Sequence, residues 1–203
     1  MKYRDEILSV YIDALSSARE VPGGGSASSV AAALGGSLNL MVIRISSKKA
    51  GADASKKLAV IEKAQADILE RFKRYIDLDC SVFTELMSSI KDKNQTPAHF
   101  KRAASVPMDI CRDCAESLLI SRDLLENCSR SLISDVVCAS VMLEAAFHSA
   151  RQNVEANLPG IDGREKEAFL TEFKRMDPEI TQVCGDIKKY VSEVRKVKDG
   201  HSN

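Results

Sequence analysis

The stretch Val21-Pro22-Gly23-Gly24-Gly25-Ser26-Ala27-Ser28-Ser29-Val30-Ala31-Ala32-Ala33-Leu34-Gly35-Gly36-Ser37-Leu38 decides the fold. It holds five of the chain's ten glycines, three of them consecutive, and behind the triplet runs a long segment of small helix-forming residues. Glycines ahead of a helix leave its first backbone N–H groups uncovered, and that positive end suits an anionic or polar ligand. A flexible turn with Ser26 as N-cap has the same sequence, so both readings stand at this point. The small side chains after the turn let either another helix or a flat ligand approach the backbone closely.

Outward from this stretch, helical periodicity covers the chain. Residues 3–18 repeat Ile7, Leu8, Tyr11, Ile12 and Leu15 along one stripe, and residues 26–47 form the small-residue helix. After a break at Gly51, with Asp53 or Ser55 as cap, the longest helix spans 55–92. Thr96-Pro97 starts a helix over 97–127, expected to kink or break before Pro107, because proline lacks the donor and restricts Val106. Helices over 131–157 and 165–197 complete the chain, with Leu158-Pro159-Gly160 between them. No alternating strand pattern or long internal repeat occurs. The expected architecture is all-α, one domain over residues 1–203, a bundle of about six helices.

Composition agrees. Ser, Ala, Leu and Lys are the commonest residues, with five prolines and no tryptophan. Lys plus Arg and Asp plus Glu number 29 each, so no bulk field favours nucleic acid or an anionic membrane. No uninterrupted apolar run approaches a membrane span, and Met1-Lys2-Tyr3-Arg4-Asp5-Glu6 does not begin a signal peptide, so the expectation is a cytoplasmic chain. Cys111 and Cys114 make the one CxxC, with no second pair or nearby histidine to complete a zinc set; the six cysteines read as free thiols at helix positions.

Two regions could carry chemistry. In Arg74-Tyr75-Ile76-Asp77-Leu78-Asp79-Cys80, carboxylates at i and i+2 sit about 200° apart on a helix and cannot face one site together. Phe72, Ile76, Asp79, Phe83, Leu86 and Ile90 advance by threes and fours, placing Asp79 inside the apolar stripe and Asp77 off it. A carboxylate there needs a partner or a raised pKa. An ion pair with a neighbouring helix and an acid/base role both satisfy that condition. The second region holds Asp135, Glu144, His148, Asn153 and Asn157. Asn153 and Asn157, one turn apart, share a face, and Asp135 near the helix start suits its dipole. Lys48 and Lys49 end the glycine-led helix, where cations suit the dipole or attract a carboxylated ligand.

These residues together resemble the cyclodeaminase/cyclohydrolase family. The resemblance is carried by Pro22-Gly23-Gly24-Gly25-Ser26, Leu34-Gly35-Gly36-Ser37-Leu38 with Met41-Val42, Asp77-Leu78-Asp79-Cys80-Ser81-Val82-Phe83, Ala104-Ser105-Val106-Pro107, Ser134-Asp135-Val136 and Asn153 through Leu158, in order along nearly the whole chain. It implies a dimeric helical bundle that binds a reduced folate without metal or further cofactor. By the same resemblance Pro22, Gly23, Gly24, Gly25, Ser26, Lys48, Lys49 and Asn153 are substrate-binding candidates. Asp79 is the first catalytic candidate and Asp135 the second. The implied reaction is hydrolysis of 5,10-methenyltetrahydrofolate to 10-formyltetrahydrofolate. Formiminotetrahydrofolate cyclodeamination is the alternative, and a non-catalytic folate-binding or dimerisation module the third reading. The chain departs from the family where a tyrosine commonly follows the lysines after the first long helix, and where Ile90-Lys91-Asp92-Lys93 replaces a tyrosine-containing segment.

Overall fold

The computed structural model describes Lys2, Asp5 and residues 7–199, with side chains as far as Val194. Among these residues the chain forms α1 (Leu8–Leu15), α2 (Gly24–Ser47), α3 (Ala52–Lys91), α4 (Pro97–Asn127), α5 (Ile133–Asn157) and α6 (Gly163–Asp199), and no strand. Short 3-10 turns occupy Arg130–Leu132 and Leu158–Gly160. The expected all-α bundle is what forms.

The α2 helix is the centre of the bundle because its side chains are small. A Cβ on Gly35 would lie 2.8 Å from Leu143 Cγ and 2.9 Å from the Ala139 carbonyl, both on α5. One residue on, a Cβ at Gly36 would lie 3.0 Å from Gln65 Nε2 of α3. Adjacent glycines therefore admit two different helices to two faces of α2, both running antiparallel to it. The approach that the sequence left open, helix or flat ligand, is taken here by helices. Ser28, Ser29 and Ser37 turn their hydroxyls back to the carbonyls of Gly24, Gly25 and Ala33, so they add little width.

At mid-height the core turns polar. Asn39 Nδ2 donates to the Ser117 carbonyl and to Ser121 Oγ, each at 2.9 Å, and Ser117 Oγ donates to Gln65 Oε1 at 2.8 Å. This network ties α2, α3 and α4 with every named residue fully buried. The apolar core includes Phe72, Met108, Leu118, Leu143, Phe147 and Met176, each contributing about 1.5–3 kcal/mol by removal from water. The α6 helix lies along α4 in the same direction, held by Arg112 to Glu172 at 2.6 Å and by Tyr190 Oη to the Leu125 carbonyl at 2.9 Å.

Several expectations are corrected. Gly23, extended at φ −125°, is the N-cap of α2, so Ser26 is its third residue and not its cap. Gly51 caps α3, with Asp53 in the first turn. Pro107 neither breaks nor ends α4, which is continuous from Pro97 to Asn127. One proline removes one donor, and the buried neighbours Ala103, Ala104, Val106 and Met108 keep the segment helical by packing. Thr96 does start this helix, its N–H donating to His99 Nδ1 at 3.1 Å.

The stripe on residues 3–18 contracts to α1; Tyr3, Arg4 and Glu6 lie outside the described residues. Of its apolar positions Tyr11 is buried, while Ile7, Leu8, Ile12 and Leu15 are exposed, since α1 meets the body along one edge against Ile76 and Cys80 of α3. Gly24–Ser47 and Arg130–Gly160 are long and apolar enough on average to cross a membrane by length and composition, although polar and charged residues interrupt both. In the bundle these two segments pack against each other.

Candidate functional site

The glycine turn and the aspartate helix meet at one corner. On α3, Ile76 and Cys80 are buried on the face toward α1 and α2, and Asp79 lies between them in sequence, next to the start of α2. A Cβ built on Gly25 would fall 2.1 Å from Asp79 Oδ1 and 2.4 Å from its Cγ. The carboxyl group thus occupies the volume that any other residue at position 25 would fill. It accepts a hydrogen bond from the Ser26 backbone N–H. Asp79 thereby does from another helix what an N-cap side chain does locally, for a helix whose own N-cap is glycine.

Two influences oppose each other on this carboxyl. Burial pushes it up, and the Ser26 N–H pulls it down; burial wins, and the group titrates at about 6. The Ser26 hydroxyl is fully buried and points away from the open side of the turn: it lies 3.2 Å from Tyr11 Oη and hydrogen-bonds the Cys80 thiol. Burial pushes that thiol up to about 11, which keeps it protonated and unreactive.

From the other side comes α5. Asn153 Oδ1 lies 3.3 Å from the position of a Cβ on Gly24, while its Nδ2 donates to the Ser149 carbonyl at 2.9 Å. Asn157 Nδ2 donates to the Asn153 carbonyl at 2.8 Å. Ser28 Oγ, 2.8 Å from Ser149 Oγ, fastens α2 to α5 beside this point. Gly24 is exposed and Gly25 buried, so the turn shows one face to solvent and the other to Asp79.

The structure brings Gly24, Gly25, Ser26, Asp79 and Asn153 together, with Pro22 and Gly23 leading into the turn. The remaining candidates stand elsewhere. Lys48 and Lys49 follow the last residue of α2, about 35 Å from Gly25 at 1.5 Å per residue. Asp135, in the first turn of α5, is about 27 Å along that helix from Asn153. Lys49 lines a separate cleft of about 350 Å³ with Ser46, Asn127 and Leu132.

Tyr11 and Ser149 are contacts of the corner that the sequence reading did not single out for a site. Tyr11 reads there as one member of an apolar stripe, and no local signal separates its hydroxyl from its ring. Cys111 and Cys114 are fully buried free thiols, and no group of three metal-ligating side chains occurs among the described residues. His148 is exposed on α5 and stacks edge-on with Phe147.

A carboxyl that titrates near neutrality, beside uncovered helix amides and a side-chain amide, can accept and return a proton next to a polar ligand. The chain is 25% identical over 206 aligned positions to a methenyltetrahydrofolate cyclohydrolase of Methylorubrum extorquens, covering 96% of this chain and 98% of that one. It superposes on the solved structure of formiminotetrahydrofolate cyclodeaminase from Thermotoga maritima with a TM-score of 0.88, at 25% identity, covering 95% of this chain and 98% of that one. A family model described as formiminotransferase-cyclodeaminase matches residues 7–175, so the chain belongs to the formiminotransferase-cyclodeaminase family.

Proposed function

We propose that this protein is a folate one-carbon enzyme that hydrolyses the methenyl bridge of 5,10-methenyltetrahydrofolate to give 10-formyltetrahydrofolate. The observation that carries the reading is the Asp79 carboxyl, partly buried against Gly25 and titrating at about 6. The bridge carbon is an electrophilic amidinium. As the carboxylate, Asp79 removes a proton from water while the water oxygen bonds to that carbon. As the acid, it returns that proton to the ring nitrogen when the carbon–nitrogen bond breaks, and the hydroxyl proton of the adduct leaves to solvent as the formyl carbonyl forms. One group near neutrality serves both transfers, with no metal in the scheme. The open face at Gly24 and the Asn153 amide bind the polar edge of the tetrahydrofolate derivative. The same reading places the enzyme in the cytoplasm as a homodimer, without nucleic-acid or membrane partners. Exposed Leu34 on α2 with Val141 and Met142 on α5 would suit a second copy.

The distance of Lys48 and Lys49 from this corner argues against their meeting the same folate molecule within one chain. The test follows the methenyl chromophore with purified protein beside Asp79→Asn. No acceleration by the wild type would sink the assignment. Undiminished activity in Asp79→Asn would instead remove that carboxylate from the mechanism. The likeness to a solved cyclodeaminase favours a second reading, release of ammonia from 5-formiminotetrahydrofolate on the same carboxyl. Ammonia release from that substrate decides between the two, and folate binding without either turnover would identify a non-catalytic module.

A further inference from the structure

We propose that Tyr11 is a positioning residue for Asp79, acting through the Ser26 hydroxyl; this rests on the reading of Asp79 as the acid/base group. The α1 helix exposes Ile7, Leu8, Ile12 and Leu15, yet buries Tyr11 to 5% beside Ala14, Ile76 and Cys80. The Tyr11 hydroxyl lies 3.2 Å from Ser26 Oγ, and the same serine's backbone N–H donates to the Asp79 carboxylate. Ser26 is therefore held at its side chain by Tyr11 and Cys80 and in turn holds Asp79 by its main chain.

This grip matters because the first turn of α2 begins with glycines, which carry the largest backbone entropy cost into a helix, and Gly23 supplies no side-chain cap. The Ser26 N–H can meet the carboxylate only in one orientation of that turn. A phenol anchored in an apolar cluster fixes the orientation at the first residue beyond the glycines. The titratable groups around Asp79 at this corner are Tyr11 on α1 and Asp77 and Cys80 on α3 itself. The contacts from α2 and α5, through Gly25, Ser26 and Asn153, carry no charge.

The experiment reads the Asp79 carboxyl directly, by carbon-13 NMR titration of the full chain without substrate, with Asp79→Asn identifying its resonance. Tyr11→Phe keeps the ring in its cluster and removes only the hydroxyl. The titration midpoint is expected to rise by about half a unit as the Ser26 N–H loses alignment. Ser26→Ala is expected to give a similar rise, and the double variant no more than the larger single one. Ring opening by Tyr11→Phe should show kcat lowered roughly fivefold with KM little changed. An unmoved Asp79 midpoint in Tyr11→Phe, or a double variant equal to the sum of the singles, overturns the inference. Because the titration needs no turnover, an inactive wild type rejects the proposed reaction and leaves the Tyr11 result to be read on its own.

Discussion

Two aspartates on the buried faces of this bundle have opposite fates. Asp113 on α4 is 6% exposed and fully paired: Arg71 Nε and Nη2 of α3 donate to its two oxygens at 2.8 Å each, and Tyr75 Oη donates at 3.1 Å. The hydrogen bond to Asp113 holds the Arg71 guanidinium charged, well above its usual range. Burial, with the Asp113 charge adding to it, pushes the Tyr75 phenol up as well. Asp79, about two turns beyond Arg71 on the same α3 helix, is held by a backbone N–H where Asp113 is held by a cation. The interhelical ion pair that the sequence left open for Asp79 is built at Asp113. A bidentate pair fixes a carboxylate in one geometry, which serves the fold. A carboxyl held by one N–H keeps a proton equilibrium near neutrality, as the acid/base role proposed for Asp79 requires.

That contrast can be broken in order of expected effect. Asp79→Asn should lower the ring-opening rate by about 10³-fold, within the range general acid–base groups contribute, with little loss of stability in urea unfolding. Asp113→Ala should do the reverse. Arg71 is partly exposed and keeps Glu116 at 3.7 Å, but it loses its bidentate bond and Tyr75 loses its acceptor. That loss costs about 1–3 kcal/mol, read as a lower urea midpoint, while activity per folded molecule stays within a few-fold. Equal loss of activity in both variants would dissolve the distinction. Gly25→Ala pushes a methyl into the Asp79 carboxyl and should cost about 10²-fold in kcat together with about 1–3 kcal/mol of stability.

The fourth prediction concerns pH. Folded Asp79 titrates at about 6 against 3.8 ordinarily, so the native state holds the extra proton between those values. Stability therefore falls as pH rises through that window, by about 3 kcal/mol at most, and the penalty is absent below it. Asp79→Asn should accordingly gain on the wild type between about pH 4 and pH 7 in paired urea titrations. Activity that needs the carboxylate should fall about tenfold per pH unit below 6. The smallest effect is a control: a Cβ added at Gly185 in α6 would meet nothing within 4 Å, so Gly185→Ala should raise stability by about 0.5–1 kcal/mol and leave turnover alone.

Much of the fold was legible because helices announce themselves locally. The glycine triplet marked the start of α2 to within two residues, and the phase of Phe72, Ile76 and Leu86 put Asp79 on the inward side of α3. Phe83 and Ile90, read into the same stripe, are exposed, while Val82 is buried in their stead. A stripe drawn at ideal spacing cannot say where on a 40-residue helix its neighbours stop. The exposed positions of α1 fail for the same reason: periodicity shows that a face is apolar, but not which part of it is covered.

The sequence by itself determined the helical class, the order of the elements and the candidate carboxylate, because each depends on spacing within one segment. Which candidates share a site was decided only in three dimensions. Antiparallel packing of α2 with α3 and α5 sets Gly25 against Asp79 and Gly24 against Asn153. The same packing carries Lys48, Lys49 and Asp135 away along the lengths of their helices. The tertiary structure also decided the character of the two aspartates. Pairing depends on what other segments bring to a side chain, and here α4 meets α3 with a carboxylate facing Arg71 whereas α2 meets it with glycine and a bare N–H.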